Sequence, residues 1–161
     1  MPQSIELESN GKIAILRLNK PPVNALDEIA LRELARAVHQ VENDPTIRVL
    51  IVTSAITDIF CAGGDLKFWP RAYPKQPSTV SSIGQEVFAQ IEQIIIPSIS
   101  AINGRVVGDG LSLALACDLR LATYEATFQL PEVSYGFIPG WGTIGRLVRA
   151  VGTTQSTELL L

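Results

Sequence analysis

The chain has 161 residues, 47% hydrophobic and 18% charged, which suits one domain with a real core and excludes a disordered chain. Its formal net charge is −3 with Lys and Arg scattered, so no basic stripe points to nucleic acid, and a phosphate-bearing ligand must be held by a few local groups. The start, Met1-Pro2-Gln3-Ser4-Ile5-Glu6, is no signal peptide, and no apolar run approaches the roughly 20 residues of a membrane span, so a cytoplasmic protein without membrane partners is expected.

Ile5 and Leu7, then residues 13–18, alternate as two strands, with Asn10-Gly11 as a hairpin turn between them. Residues 27–43 switch to helical spacing, with Leu31, Leu34, Val38 and Val41 on one face, Asp27 as N-cap and Asn43-Asp44-Pro45 as the stop. Val49-Leu50-Ile51-Val52 reads as a strand covered on both sides. Residues 70–79 carry three prolines and read as a loop. A second amphipathic helix carries Val80, Ile83, Val87, Ile91 and Ile94 and ends at Pro97. Residues 99–102 are strand-like, 109–117 read as a buried helix, and 119–122 resume a strand. Thr153 opens a last helix, and Leu159-Leu160-Leu161 reads as a stop in mid-helix. Strands alternating with helices predict an α/β fold with right-handed crossovers.

Cys61 and Cys117 lie among small or apolar residues, without metal-ligand spacing, and read as buried free thiols. Two glycine-rich segments stand out: Ala62-Gly63-Gly64-Asp65, and the stretch from Gly104 to Gly110. Each is placed between a strand and a helix. Glycine allows positive φ and close approach of backbone N–H groups, and two such groups converging from separate turns would make an oxyanion hole. On spacing alone, plain tight turns are the better explanation. A dinucleotide fingerprint does not fit, because the third glycine after Gly108-Asp109-Gly110 is absent. The one histidine, His39, falls on the polar helix face with Arg32, Arg36 and Asn43, and Ser112 is in no GxSxG elbow, so a Ser-His hydrolase is not indicated.

A set of segments, in order, carries a resemblance. Phe60-Cys61-Ala62-Gly63-Gly64-Asp65-Leu66 is followed by Pro97-Ser98-Ile99-Ser100-Ala101-Ile102-Asn103-Gly104 and then Gly108-Asp109-Gly110. Cys117-Asp118-Leu119-Arg120-Leu121-Ala122 comes next, then Phe128-Gln129-Leu130-Pro131-Glu132, Gly136-Phe137-Ile138-Pro139-Gly140 and Arg146-Leu147. Asn24-Ala25-Leu26 fits near the start. Together these segments resemble the crotonase (enoyl-CoA hydratase/isomerase) family from about residue 5 onward.

The resemblance implies a spiral of ββα units, a single catalytic domain over residues 1–161 and an acyl-CoA substrate, with no cofactor beyond its CoA moiety. The thioester oxygen would sit between the backbone N–H groups of Gly64 and Asp109. The family has glycine at the second position, and a carboxylate there is tolerable only if it points away from the oxyanion. Ala62 would meet the adenine through its carbonyl. Lys67 would lie near the CoA phosphates, although a solvated lysine is an equal reading, and Lys20 is a weaker candidate. Ala25, Asp65 and Leu66 fall on the same CoA-facing segments. Hydratases of the family use two glutamates; here the first position is Ser112 and the second Glu132. A hydroxyl is no base near neutral pH without its own activator. One carboxylate suffices to move a proton between two carbons, so an isomerase with Glu132 as base is expected before a hydratase, a decarboxylase or a non-catalytic acyl-CoA binder. Trp141 replaces a small residue and would line the acyl pocket, or pack at the surface or an interface. Family members continue with helices that close that pocket and build trimers or hexamers, so a chain without them is expected to be inactive or to associate abnormally.

Overall fold

The computed structural model describes residues 3–68 and 77–161. Strands β1 (Ile5–Asn10) and β2 (Ile13–Leu18) form an antiparallel hairpin. Its two-residue loop places Gly11 first, with φ +60°, as a turn that follows the strand twist requires. Helix α1 (Glu28–Glu42) follows, then β3 (Val49–Ser54), β4 (Asp58–Cys61) and α2 (Pro77–Gln93). Next come β5 (Ser98–Ile102), β6 (Gly104–Val107), α3 (Asp109–Ala116), β7 (Leu119–Ala122) and β8 (Phe128–Gln129). A 3₁₀ turn (Glu132–Tyr135) leads to α4 (Thr143–Leu160).

The strands form two sheets. The larger runs β1-β2-β3-β5-β7, parallel from β2 onward; the smaller runs β4-β6-β8, all parallel. The second sheet was not expected: its strands have two to four residues and carry the segments read as glycine turns and motifs. Gly104 belongs to β6, because a side chain there would collide with the backbone of Asp58 on β4. Val49–Val52 is covered less evenly than expected, with Leu50 and Val52 fully buried and their neighbours only half-buried.

Helix α1 starts where Asp27 accepts the Ala30 N–H at 2.9 Å. It packs Leu31, Leu34, Val38 and Val41 against the sheet and α2. Each such side chain contributes about 1.5–3 kcal/mol of burial. The expected loop over 70–79 meets helix at residues 77–79, while 70–76 and the side chain of Val80 lie outside the described residues. Helix α2 ends at Gln93, before Pro97, and Ile94 folds back under Ile91. The last helix begins ten residues earlier than Thr153, and Gly152 (φ 80°, ψ 170°) kinks it. Among the described residues no helix is long and apolar enough to cross a membrane.

Candidate active site

The two glycine segments meet, and Gly63 shows how tightly. A Cβ built there would lie 2.7 Å from Val107 O and 2.8 Å from Asp109 N, and φ is +78°. The first segment is turn rather than helix at residues 66–68. It is bound to the chain around Ala25 by bonds from Leu26 N to Gly63 O (2.8 Å), Asp65 N to Leu26 O (2.9 Å) and Ala62 N to Val23 O (3.0 Å). Buried Asn24 fixes that chain with φ +53°. Its Oδ1 accepts the Lys20 N–H at 2.7 Å, and its Nδ2 donates to Ser54 Oγ at 2.8 Å and to Phe60 O at 2.9 Å. Asn24 was noted only as a motif match, yet it joins β3, β4 and the Ala25 loop.

Ala25, Ala62, Gly64, Asp65, Leu66 and Lys67 therefore form one strip. Asp65 caps its turn by accepting the Lys67 N–H (2.8 Å) and the Phe68 N–H (3.3 Å). Lys20 pairs with Asp27 at 2.7 Å and stands 3.9 Å from Asp65. Burial would raise the Asp27 carboxyl, but Lys20 and the Ala30 N–H outweigh it and hold the group below its ordinary value. Leu66 and Lys67 are exposed.

The second segment supplies Gly108 as N-cap of α3, with φ 55°. Glu132 closes over it: a Cβ on Gly108 would lie 2.6 Å from Glu132 Oε1. Glu132 is buried, and its Oε2 has no hydrogen-bond partner among the described residues. Burial raises its pKa, with a bond from its own backbone opposing. Asp109 is pushed up to about 7, first by burial and then by Glu132. Among the described residues no acceptor takes the amide N–H of Gly64 or of Asp109. That leaves two free donors on adjoining turns beside a buried carboxyl.

Ser112 is not a free hydroxyl at this site. Its Oγ donates to Trp141 O at 2.9 Å and accepts from Arg146 Nη1 at 3.2 Å. Arg146 also donates to Trp141 O at 2.6 Å and is held by Glu92 at 2.8 Å. Arg146 was noted only as part of a motif; its place in this buried network had no signal in its local sequence. Trp141 is buried, so surface packing is excluded. Its ring meets Phe88 edge-on at 5.6 Å and lies against Gly84 of α2, where any side chain would collide with it. Cys61 is a structural thiol, bonded to Asn24 O at 3.3 Å and pushed up to about 12 by burial. Cys117 is likewise buried and free, and His39 is exposed.

Comparison with known proteins identifies the family and the fold. The pattern of the enoyl-CoA hydratase/isomerase family matches residues 8–161. The chain is 38% identical over 159 residues to crotonyl-CoA hydratase of Syntrophomonas wolfei, covering 98% of this chain and 61% of that protein. It is 37% identical to mitochondrial methylglutaconyl-CoA hydratase of Mus musculus, covering 95% of this chain and 49% of that one. Among solved structures, enoyl-CoA hydratase from Bacillus anthracis superposes with a TM-score of 0.93 at 34% identity, covering 98% of this chain and 62% of that chain. Pseudomonas aeruginosa DspI superposes at 0.94 with 30% identity, covering 99% and 65%. The chain thus spans about half to two thirds of the length of these relatives. By pattern, identity and fold, it belongs to the enoyl-CoA hydratase/isomerase family and has the crotonase fold.

Proposed function

We propose that this chain binds an acyl-CoA thioester and stabilises its enolate, with the amides of Gly64 and Asp109 as the oxyanion hole and Glu132 as the base. The observation that carries the reading is the buried Glu132 carboxyl over the Gly108–Asp109 turn: among the described residues its Oε2 has no hydrogen-bond partner and the Asp109 amide has no acceptor. Preorganised N–H donors of this kind are worth about 2.7–4 kcal/mol each to a developing oxyanion. A carboxylate whose pKa is raised toward the working pH is a competent base, worth about 10²–10⁴-fold. The strip from Ala25 to Lys67 would take the CoA moiety, with Ala62 at the adenine and Lys67 near phosphate. Trp141, buried under α2, would bound the acyl end.

Isomerisation is the reading favoured here, because the Ser112 hydroxyl is committed to Trp141 and Arg146 and offers no second base. Hydration is the second reading. It is favoured by the names of the relatives and by the second carboxyl that Asp109 brings beside Glu132. Offering a 3-enoyl-CoA and a 2-enoyl-CoA to wild type and Glu132→Gln separates them. Conversion of the 3-enoyl substrate, lost in Glu132→Gln and with no hydrated product, is the expected result. Hydration of the 2-enoyl substrate would establish the second reading, and binding without turnover would end both.

A further inference from the structure

The corner that opens α4, residues 140–143, is held against its own backbone preference. Trp141 is buried and has φ +49°, a left-handed backbone that a bulky side chain adopts only when its surroundings impose it. Gly142 follows at φ +84°, and a side chain there would collide with the Arg146 guanidinium. Thr143, fully buried, closes the corner on Gly140 O, with its N–H at 2.9 Å and its hydroxyl at 2.8 Å.

This corner grips the first turn of α3 at two points. Ser112 Oγ donates to Trp141 O at 2.9 Å, and Arg146, itself held by Glu92 of α2, donates to the same carbonyl at 2.6 Å. One turn earlier, Asp109 Oδ1 lies 3.4 Å from the Thr143 hydroxyl, and a Cβ on Gly140 would be 3.9 Å from the same oxygen. The backbone of Gly140 is a further hydrogen-bond donor to that carboxyl. Positions 109 and 112 share one helix face, so both holds act on the same side of α3. The turn needs such a hold, because its N-cap Gly108 has φ +55° and makes no side-chain capping bond. A helix start without a cap frays unless something outside restrains it. An aspartate at this position would otherwise fold back onto the free N–H groups of its own turn, where the helix dipole favours it. Docked on the corner, it leaves them clear.

We propose that the Asp109 side chain is a positioning residue for the oxyanion hole: docked on Gly140 and Thr143, it fixes the direction of its own backbone N–H and keeps its oxygens off that donor. The inference rests on the reading of the Gly64 and Asp109 amides as the hole. It gives the aspartate a use where the family has glycine, since a glycine at 109 would have no tie to the corner. The tie needs an acceptor oxygen rather than a charge. An oxyanion donor acts fully only at about 2.7–3.1 Å from the developing charge. A loosened turn therefore slows enolate formation while leaving the thioester's binding along the strip from Ala25 to Lys67 as it was.

The test follows exchange of the C2 protons of a 3-enoyl-CoA in deuterated water on the intact protein, with kcat and KM read separately and Glu132→Gln as the control. Asp109→Ala removes the tie and keeps the amide; it is expected to lower kcat of exchange about tenfold with KM within about twofold. Asp109→Asn keeps an acceptor oxygen and is expected to recover kcat to within about threefold of wild type. Thr143→Val deletes the hydroxyl and keeps the buried shape. It is expected to act through the same tie, so the double variant with Asp109→Ala loses no more than about twofold beyond the slower single variant. Asp109→Ala exchange within about threefold of wild type overturns the proposal, as does a loss confined to KM. Losses that multiply in the double variant, or an Asp109→Asn as slow as Asp109→Ala, overturn it too. Should Asp109→Ala fail to fold, Thr143→Val is set against Thr143→Ser: the serine is expected to keep the rate that the valine loses, and equal losses overturn the proposal. Wild-type exchange that does not depend on Glu132 removes the enolate reading itself, and this inference with it, whereas Glu132-dependent exchange that Asp109→Ala leaves untouched removes only the inference.

Discussion

The two glycine turns that meet at the site are built on opposite principles. Around the first, the charges and amides are matched: Asn24 uses both ends of its amide, Asp65 caps its own turn, and Lys20, whose buried Nζ makes no well-aligned hydrogen bond, is held as an ion pair 2.7 Å from Asp27. Around the second, among the described residues, a buried carboxyl oxygen of Glu132 has no hydrogen-bond partner, and no cation pairs with Glu132 or Asp109. The first turn is thus a satisfied scaffold that places an amide and a binding strip. The second holds its groups at a cost in stability, which is where perturbed acids capable of proton transfer are expected.

Breaking the scaffold should have the largest effect on folding. Gly63→Ala puts a Cβ against Val107 O and Asp109 N at positive φ, and a loss of about 3 kcal/mol in denaturant unfolding is expected. Asn24→Ala leaves the Lys20 N–H and Phe60 O without their side-chain partner, and a loss of about 2 kcal/mol is expected in the same measurement. A loss under about 0.5 kcal/mol in either would mean that the first turn is not the scaffold described.

The costly turn should respond in the opposite direction. The Asp109 carboxyl titrates near 7 in the folded chain and near 3.8 when unfolded, so the folded state binds more protons between those values. Its stability contribution is complete below the unfolded value and is lost as pH rises through about 7. Asp109→Asn should therefore be more stable than wild type at pH near 8, by about 2 kcal/mol, with the gain vanishing toward pH 4 in thermal melts. A gain that grows toward acid would contradict the sign. Smallest of all, His39→Ala on the exposed face of α1 should change stability by under about 0.5 kcal/mol.

Much of this comparison was legible in the sequence, for physical reasons that differ by element. The β1–β2 hairpin and α1 carry their own periodicity, cap and turn residue, so local pattern located them. The second sheet was hidden because four-residue strands have no period to read, and because Gly104 is there for close strand approach rather than for a turn. The first half of α4 was missed for a related reason: its N-cap Gly142 and its Gly145 weaken the helical signal, and its first turn is held by the bond from its own Arg146 to Ser112 of α3. At the site, the family segments brought Gly64, Asp109 and Glu132 forward. The commitment of Ser112, the burial of Trp141 against Gly84 and the contact of Asp109 with Thr143 arise between residues 29 to 57 positions apart, which no local motif encodes.

The most direct measurement is a carbon-13 NMR titration of the side-chain carboxyls, with Glu132→Gln and Asp109→Asn used to assign the two signals. The account predicts that both carboxyls titrate above their ordinary values, with Asp109 changing near pH 7, and that Glu132→Gln lowers the Asp109 midpoint. Two signals that titrate independently near pH 4 would contradict it, and with it the division between a satisfied turn and a reactive one.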